Sequence, residues 1–453
     1  MKHFIDSQRV FFNSNKTKDV SFRIAQLKKL KNIIKANEDN FHEAIFKDFK
    51  KSKFENYTAE LMLVIHDIDE SIKKIKKWSR DKKVRTNLIN FPAKSVIVSE
   101  PYGNTLIIGA WNYPYLTSLA PTVAAMAAGN TVVLKPSELV NETSQLMARL
   151  LNDNFDSNYL VVIEGGIPET TELLSFKFDK IFFTGSTAVG KIIYQSASKF
   201  LTPVTLEMGG KNPVIVTNTA NLKMAAKRLV WAKYLNSGQT CVAPDYMLVH
   251  SSKKEELLEY IKTEISSANY AFENENFVQI INEKNMIRLI DLMDKSKVCV
   301  GGSYNVEQRY FEPTVMENVE FDDAIMQEEI FGPILPIIEY DNFDKIIQKI
   351  KSLPKPLACY VFSEEKIEKD KVLRELTFGG GCINDCIMQI TNTNVPFGGV
   401  GESGIGSYHG KFGFDTFSHK KGVIIKKNWF ELNVKYSPYS AFKLNLIKRL
   451  FGN

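Results

Sequence analysis

The stretch Thr105-Leu106-Ile107-Ile108-Gly109-Ala110, then the alanine-rich Leu116–Ala128, then Thr131-Val132-Val133-Leu134-Lys135, decides the fold. Two short runs, rich in β-branched residues and apolar on both faces, flank a helical segment that starts after Pro114. A strand with one wet face would alternate, whereas strands apolar on both faces are covered on both sides, and an intervening helix supplies a parallel crossover. Working outward, Ser95–Glu100, Tyr159–Glu164, Lys180–Thr184 and Pro213–Thr217 have the same texture, and alternation from Met247 to about Phe362 predicts a second α/β unit. Toward the N-terminus, Leu27, Leu30, Ile33, Ile34 and then Leu61, Val64, Ile65, Ile68 recur at helical spacing, so 20–85 reads as helical. Val423-Ile424-Ile425 reads as one further strand. The fold class is therefore α/β with parallel open sheets.

Length and composition narrow the function. The chain has 453 residues, 44% of them hydrophobic and 24% charged, which excludes a disordered or fibrous polymer and allows several domains with their own cores. Lys+Arg exceed Asp+Glu by 58 − 52 = 6, too weak a bias over this length to indicate a nucleic-acid partner. The basic run from Lys73 to Arg85 reads as a solvated helix end. Five cysteines (Cys241, Cys299, Cys359, Cys382, Cys386) are too few and scattered for a disulfide framework, and Cys382 and Cys386, four apart, have no second ligand pair at metal spacing nearby, so no metal is expected. Nothing in 1–15 resembles a signal peptide and no apolar run reaches bilayer length, so the expected location is cytoplasmic.

Several segments carry candidate chemistry. Lys180–Lys191 reads strand, glycine turn, helix; Gly185 and Gly190 bracket the helix start, where free N–H groups and the positive dipole end favour a pyrophosphate. A tight packing turn explains the same residues equally well, and this is neither the three-glycine fingerprint nor a Walker loop. Lys135-Pro136-Ser137-Glu138 lies just past a strand end, where ligands of open α/β sheets bind; a surface lysine and a capping glutamate are the plain alternative. In Asn236-Ser237-Gly238-Gln239-Thr240-Cys241-Val242-Ala243-Pro244, small polar residues leave room around a thiol, although position alone favours reading Cys241 as one of five inert cysteines. Glu207-Met208-Gly209-Gly210-Lys211-Asn212-Pro213, Trp111-Asn112-Tyr113-Pro114 and Glu328-Glu329-Ile330-Phe331-Gly332-Pro333 are each explicable as structure alone.

In combination, order and spacing, these segments resemble the NAD(P)-dependent aldehyde dehydrogenase superfamily. Pro396-Phe397-Gly398-Gly399-Val400-Gly401 and Ser407-Tyr408-His409-Gly410-Lys411 resemble its class 3, fatty-aldehyde branch in particular. The resemblance runs from Thr17 over nearly the whole chain. It implies Cys241 as nucleophile, Asn112 with the Cys241 N–H as oxyanion donors, and Glu207 as general base. It also implies cofactor contacts at Lys135, Glu138, Gly185, Ser186, Gly190, Glu329 and Phe331, with NAD expected first and NADP as an alternative. Tyr113, Trp231, Ile387, Ile390, Thr391 and His409 match positions lining the aldehyde channel, a lining suited to medium- or long-chain aliphatic or aromatic aldehydes.

By the same resemblance we expect two Rossmann-like open-sheet domains and a small β oligomerisation element. The NAD(P)-binding domain would take 1–81 and 102–206, the catalytic domain 207–388, and the oligomerisation element 82–101 and 422–453, with 389–421 packing back between the domains. The expected assembly is a homodimer. A CoA-acylating dehydrogenase is the nearest rival, and Glu207 argues against it because acyl transfer to CoA needs no water-activating base. A non-catalytic descendant or a cysteine hydrolase would leave most of the matched residues without a purpose. Two departures stand out: 266–285 is shorter than in relatives, and 442–451 is a short, basic, amphipathic tail in place of a hydrophobic anchor. Such a tail could rest weakly on an anionic membrane surface.

Overall fold

The structure, a computed structural model, describes residues 1–271 and 273–452. Phe272 of the shortened stretch and Asn453 of the tail lie outside the described residues. The chain divides into two compact units, Met1–Trp78 with Pro101–His419, and Ser79–Glu100 with the chain from Lys420 onward.

The larger unit holds two large sheets and a two-stranded ribbon of Tyr304–Asn305 with Tyr310–Phe311. The first runs, in spatial order, Gly404–Ile405, Val204–Glu207, Lys180–Thr184, Asn104–Ile108, Thr131–Lys135, Leu160–Val162. All neighbours are parallel except Gly404–Ile405, which pairs antiparallel with Val204–Glu207, placing Gly404 opposite Glu207. Every residue of Asn104–Ile108 and Thr131–Lys135 is buried, as strands covered on both faces must be. The crossover between them is the helix Pro114–Ala128, opened by a proline at its first position and closed by Gly129 at φ 98°. Its alanines let it lie close to the sheet, and only Leu116 along its length is not fully buried. Leu27, Leu30, Ile33 and Ile34 share this core with Leu61, Val64 and Ile68.

The second sheet runs Val298–Val300, Thr314–Met316, Ile334–Tyr340, Tyr246–His250, Pro213–Val216, Ala358–Phe362, Gly380–Ile383. It too is parallel, apart from its antiparallel edge strand Val298–Val300. The N-terminal helical region stops at Trp78, short of the expected Arg85. Lys82–Val84 leaves the helix to pair antiparallel with Ser95–Ile97. Just before that long helix, Tyr57–Leu61 forms a π-helical turn between Lys53–Asn56 and Met62–Trp78.

The smaller unit contains most of a three-stranded sheet of Lys82–Val84, Ala93–Pro101 and Ser418–Lys426, and the helix Ala441–Phe451. Much of its apolar surface is exposed, including Trp429, Tyr439 and Phe442. Among the described residues, no helix is long and apolar enough to cross a membrane, and no group of three His, Cys, Asp or Glu side chains could hold a metal ion.

Candidate active site

Cys241 follows an unusual piece of backbone. Asn236, Ser237 and Gly238 take φ values of 55°, 52° and 71° in succession. Two non-glycine residues in the left-handed region cost free energy and persist only where surroundings over-determine them. Those surroundings are visible. The Asn236 side-chain amide donates to the Asn112 and Gln239 carbonyls, each at 3.0 Å. Gln239 is held in turn by the Gln279 carbonyl at 3.0 Å and the Ile281 N–H at 3.0 Å. A Cβ on Gly238 would strike the Gly332 carbonyl, so only glycine fits. Past the bend, the Asn212 amide donates to the Cys241 carbonyl at 2.8 Å and the Ala243 carbonyl at 2.9 Å.

The thiol so placed opens into a cavity of about 940 Å³ that is also lined by Asn112, Glu207 and Glu329. Burial, with the Glu329 and Glu207 carboxylates adding to it, pushes the Cys241 thiol up to about 12. The Cys241 and Val242 backbone N–H groups pull the other way by hydrogen-bonding the sulfur. Glu207 ends its strand at 2% exposure, with no hydrogen-bond partner for either carboxyl oxygen. Burial alone raises this carboxyl well above its ordinary value. A buried carboxyl without a partner is costly, and such groups concentrate where a proton has to be moved. Asn112 donates one amide N–H to the Gln239 carbonyl at 3.0 Å, leaving the second available.

Glu329 sits on a pinned loop. Asp245 accepts the Ile330 N–H at 2.8 Å, and Lys211, paired with Asp245, donates to the Glu328 carbonyl at 2.8 Å. Burial first and the neighbouring Asp245 second raise the Glu329 carboxyl to about 8. Phe331, at φ 46°, meets Trp111 edge-to-face with ring centres 5.4 Å apart.

Among the expected cofactor residues, Gly185 and Ser186 line the cavity, and Ser186 caps the helix Thr187–Ser198 through the Val189 N–H. Gly190 lies buried within that helix, where a Cβ would run into Met208 Sδ, so close packing accounts for it. Lys135 is 1% exposed and donates to the Pro136 carbonyl at 2.6 Å and to Glu138 at 3.5 Å; burial lowers its ammonium. Lys135 and Glu138 lie at a strand end outside the cavity lining. A dinucleotide fits these residues: the helix start offers N–H groups, the Thr184 hydroxyl is buried without a partner, and Gly209 leaves a cradle that a Cβ would fill against Glu329.

All six expected channel residues line the same cavity. The Tyr113 hydroxyl bonds the Thr240 hydroxyl at 2.7 Å, and Trp231 is 43% exposed. Ile387 holds φ 65°, rare for a β-branched residue. Burial pushes His409 down to about 4, which keeps it neutral. Sequence reasoning did not single out Lys51, Glu60, Asn212, Asn236, Gln239 or Asp245. Asn212, Asn236, Gln239 and Asp245 lie inside or beside the motifs, so buried polar side chains flanking a candidate nucleophile were the available signal. Lys51 and Glu60 had none.

Known proteins fit this geometry. The chain matches the aldehyde dehydrogenase family over residues 2–423. It is 48% identical over 458 residues to the 4,4'-diaponeurosporen-aldehyde dehydrogenase of Staphylococcus aureus (strain NCTC 8325 / PS 47), covering 99% of this chain and 98% of that one. It is 42% identical over 437 residues to a Rattus norvegicus aldehyde dehydrogenase described as dimeric and NADP-preferring, covering 96% of each. A solved structure described as the substrate-bound state of Staphylococcus aureus AldH superposes with a TM-score of 0.97 at 46% identity, over 99% of both chains. A match across nearly the whole length, with the thiol, the unpaired carboxyl and the amide gathered in one cavity, leaves one conclusion: the chain belongs to the aldehyde dehydrogenase family and is an NAD(P)-dependent enzyme that oxidises aldehydes.

Proposed function

We propose that Cys241 attacks the aldehyde carbonyl, and that the enzyme prefers medium- to long-chain aliphatic or aromatic aldehydes. The observation carrying this reading is the single apolar-walled cavity shared by Cys241, Glu207 and Asn112. The thiol loses its proton to solvent water, and its sulfur bonds to the carbonyl carbon as the C=O electron pair moves onto oxygen, giving the oxyanion of a thiohemiacetal. The free Asn112 N–H and the Cys241 backbone N–H steady the oxyanion. A bound nicotinamide supplies a hydride acceptor. Loss of hydride leaves a thioester on Cys241. Glu207 then takes a proton from water, which attacks the thioester and releases the acid. The absence of a partner for Glu207 in the resting site is what leaves it free to hold that water.

Glu329 would hold the nicotinamide ribose with Phe331 beside the ring, Ser186 the pyrophosphate, and Lys135 with Glu138 the adenine ribose. A carboxylate at Glu138 disfavours a 2′-phosphate while Lys135 softens that repulsion, so NAD is favoured and NADP accepted. Residues 1–81 with 102–206 serve as the nucleotide-binding domain, 207–388 as the catalytic domain, and 389–421 packs back between them, its Gly404–Ile405 lying at the edge of the first sheet. We place the enzyme in the cytoplasm as a homodimer assembled through 82–101 and 422–453. The tail helix, with Lys443, Lys448 and Arg449 among exposed Phe442, Leu444 and Leu450, supports a weak contact with anionic membrane surfaces. Comparing kcat/KM for hexanal, a long-chain aldehyde and a small semialdehyde tests the substrate assignment. A clear win for the semialdehyde would overturn it.

A further inference from the structure

Lys51 and Glu60 form an ion pair with no exposed side-chain surface, its N–O distance 2.7 Å. Neither belongs to any motif of the reaction. Burying two charges is expensive, and a pair of apolar residues would often serve stability as well. Where this pair reaches is therefore informative.

The Lys51 ammonium donates a second hydrogen bond, at 3.0 Å, to the backbone carbonyl of Asn112. It also lies over the Tyr113 ring, 4.1 Å from its centre, and the Tyr113 hydroxyl bonds the hydroxyl of Thr240, next to Cys241. Glu60 turns its other oxygen to the N–H groups of Tyr115 and Leu116, at 2.8 and 3.2 Å, and so caps the helix that starts after Tyr113. Glu60 arrives there on the π-helical turn Tyr57–Leu61, a local irregularity that often marks a function. Asn236, on the strained bend before Cys241, donates to the same Asn112 carbonyl at 3.0 Å. The chain from Asn112 to Leu116 is thus fixed at three places, the Asn112 carbonyl by Lys51 and by Asn236 and the helix start by Glu60.

We propose that Lys51 and Glu60 are positioning residues for the oxyanion site, clamping the Asn112–Tyr113 backbone so that the Asn112 amide points where negative charge develops. This rests on the reading of Asn112 as an oxyanion donor. Preorganised donors accelerate the reaction because they need no rearrangement as charge appears, and misplacing one by an ångström can cost about 10²-fold.

The test is a double-mutant cycle. Lys51→Met/Glu60→Gln removes both charges of the pair together, so neither partner is left without the other, and the carboxamide oxygen that replaces the carboxylate still caps the helix. The Glu55 carboxyl, also beside Lys51, is already pushed up by burial to about 7 and takes a proton when the ammonium is gone. We expect an unchanged thermal midpoint and NAD affinity, an aldehyde KM little altered, and a single-turnover rate of NADH formation lower by about 10- to 10²-fold. Added to Asn112→Ala, the same pair of changes should cost little more. Full rates in the double variant, or a loss that multiplies undiminished on Asn112→Ala, would overturn the clamp. Lys51→Arg is the second probe, since a guanidinium fork cannot replace a point ammonium between the Tyr113 ring and the Asn112 carbonyl. It should lower the single-turnover rate even if the double variant does not fold, and a wild-type rate would contradict the proposal. If Asn112→Ala itself turns over at the wild-type rate, the oxyanion reading fails first, and the clamp fails with it.

Discussion

Gly209→Ala is the most telling single methyl group. A Cβ built on Gly209 stands 2.5 Å from the Glu329 carboxyl carbon. Carbon atoms in contact prefer about 3.5 Å, so the carboxylate must retreat by about 3.5 − 2.5 = 1.0 Å. The obstructed atoms are the far end of a flexible side chain, so the carboxylate moves and the backbone stays. The variant should fold with a thermal midpoint close to wild type. A displacement of this size at a positioning group can cost about 10²-fold in rate, equivalent to about 2.7 kcal/mol. Because Glu329 is assigned to the nicotinamide ribose, the loss should appear in NAD affinity and in the hydride step, with the rate of Cys241 alkylation in the absence of NAD little changed. Glu329→Gln should reproduce most of it, and Gly209→Ala added to Glu329→Gln should add little. Stopped-flow NADH formation and NAD titration of the protein's fluorescence measure both quantities. A Gly209→Ala enzyme with wild-type NAD affinity and burst rate would refute the assignment of Glu329.

Three more expectations concern charge. Glu207→Gln should give one burst of NADH per site and then stall as an acyl-enzyme, measurable by quenched-flow and intact-protein mass. Since burial raises the Glu207 carboxyl, its basic form grows in only at pH values above the ordinary carboxylate range, so wild-type deacylation should rise with pH there and Glu207→Gln should lose that dependence. Glu329 is raised from 4.5 to about 8, so its ionisation opposes folding: its contribution is fully favourable below pH 4.5 and is lost as pH climbs toward about 8. In thermal melts without cofactor, Glu329→Gln should therefore match wild type at low pH and exceed it above about pH 8, by a few kcal/mol at most. Glu138→Gln should shift kcat/KM toward NADP by removing the carboxylate that repels a 2′-phosphate, and an unchanged ratio would move the adenine-ribose site elsewhere.

Most strands legible in sequence were those buried on both faces, because such burial leaves an uninterrupted apolar run. Ser95–Glu100 and Val423-Ile424-Ile425, legible through their β-branched residues, lie instead in strands that keep exposed or half-exposed faces. Thr131–Lys135 and Lys180–Thr184 coincide with the expectation, and Asn104–Ile108 and Leu160–Val162 differ only at their ends. Gly404–Ile405 was invisible, since two residues of glycine-rich chain carry no period, and only its partner Val204–Glu207 defines it. Lys82–Val84 was read as helix because lysines suit any solvated face, and its antiparallel pairing is a long-range choice. At the site, Cys241, Glu207, Asn112 and Glu329 stand out in sequence through their motifs and the six expected channel positions through the resemblance, and all of them line one cavity. Lys51 was not found, because within Lys50-Lys51-Ser52-Lys53 it looks like any surface lysine. What buries it is a carbonyl 61 residues away in sequence. Gly190 had two open readings, and its contact with Met208 favours the packing one.

The central claim is cysteine-dependent oxidation of an aldehyde by NAD. The most direct measurement follows NADH and carboxylic acid together, with a long-chain aldehyde, for wild type and Cys241→Ala. The account predicts equal amounts of NADH and acid from wild type, and neither from Cys241→Ala although it still binds NAD. Turnover that survives in Cys241→Ala, or a wild-type enzyme inert toward every aldehyde with both NAD and NADP, would contradict it.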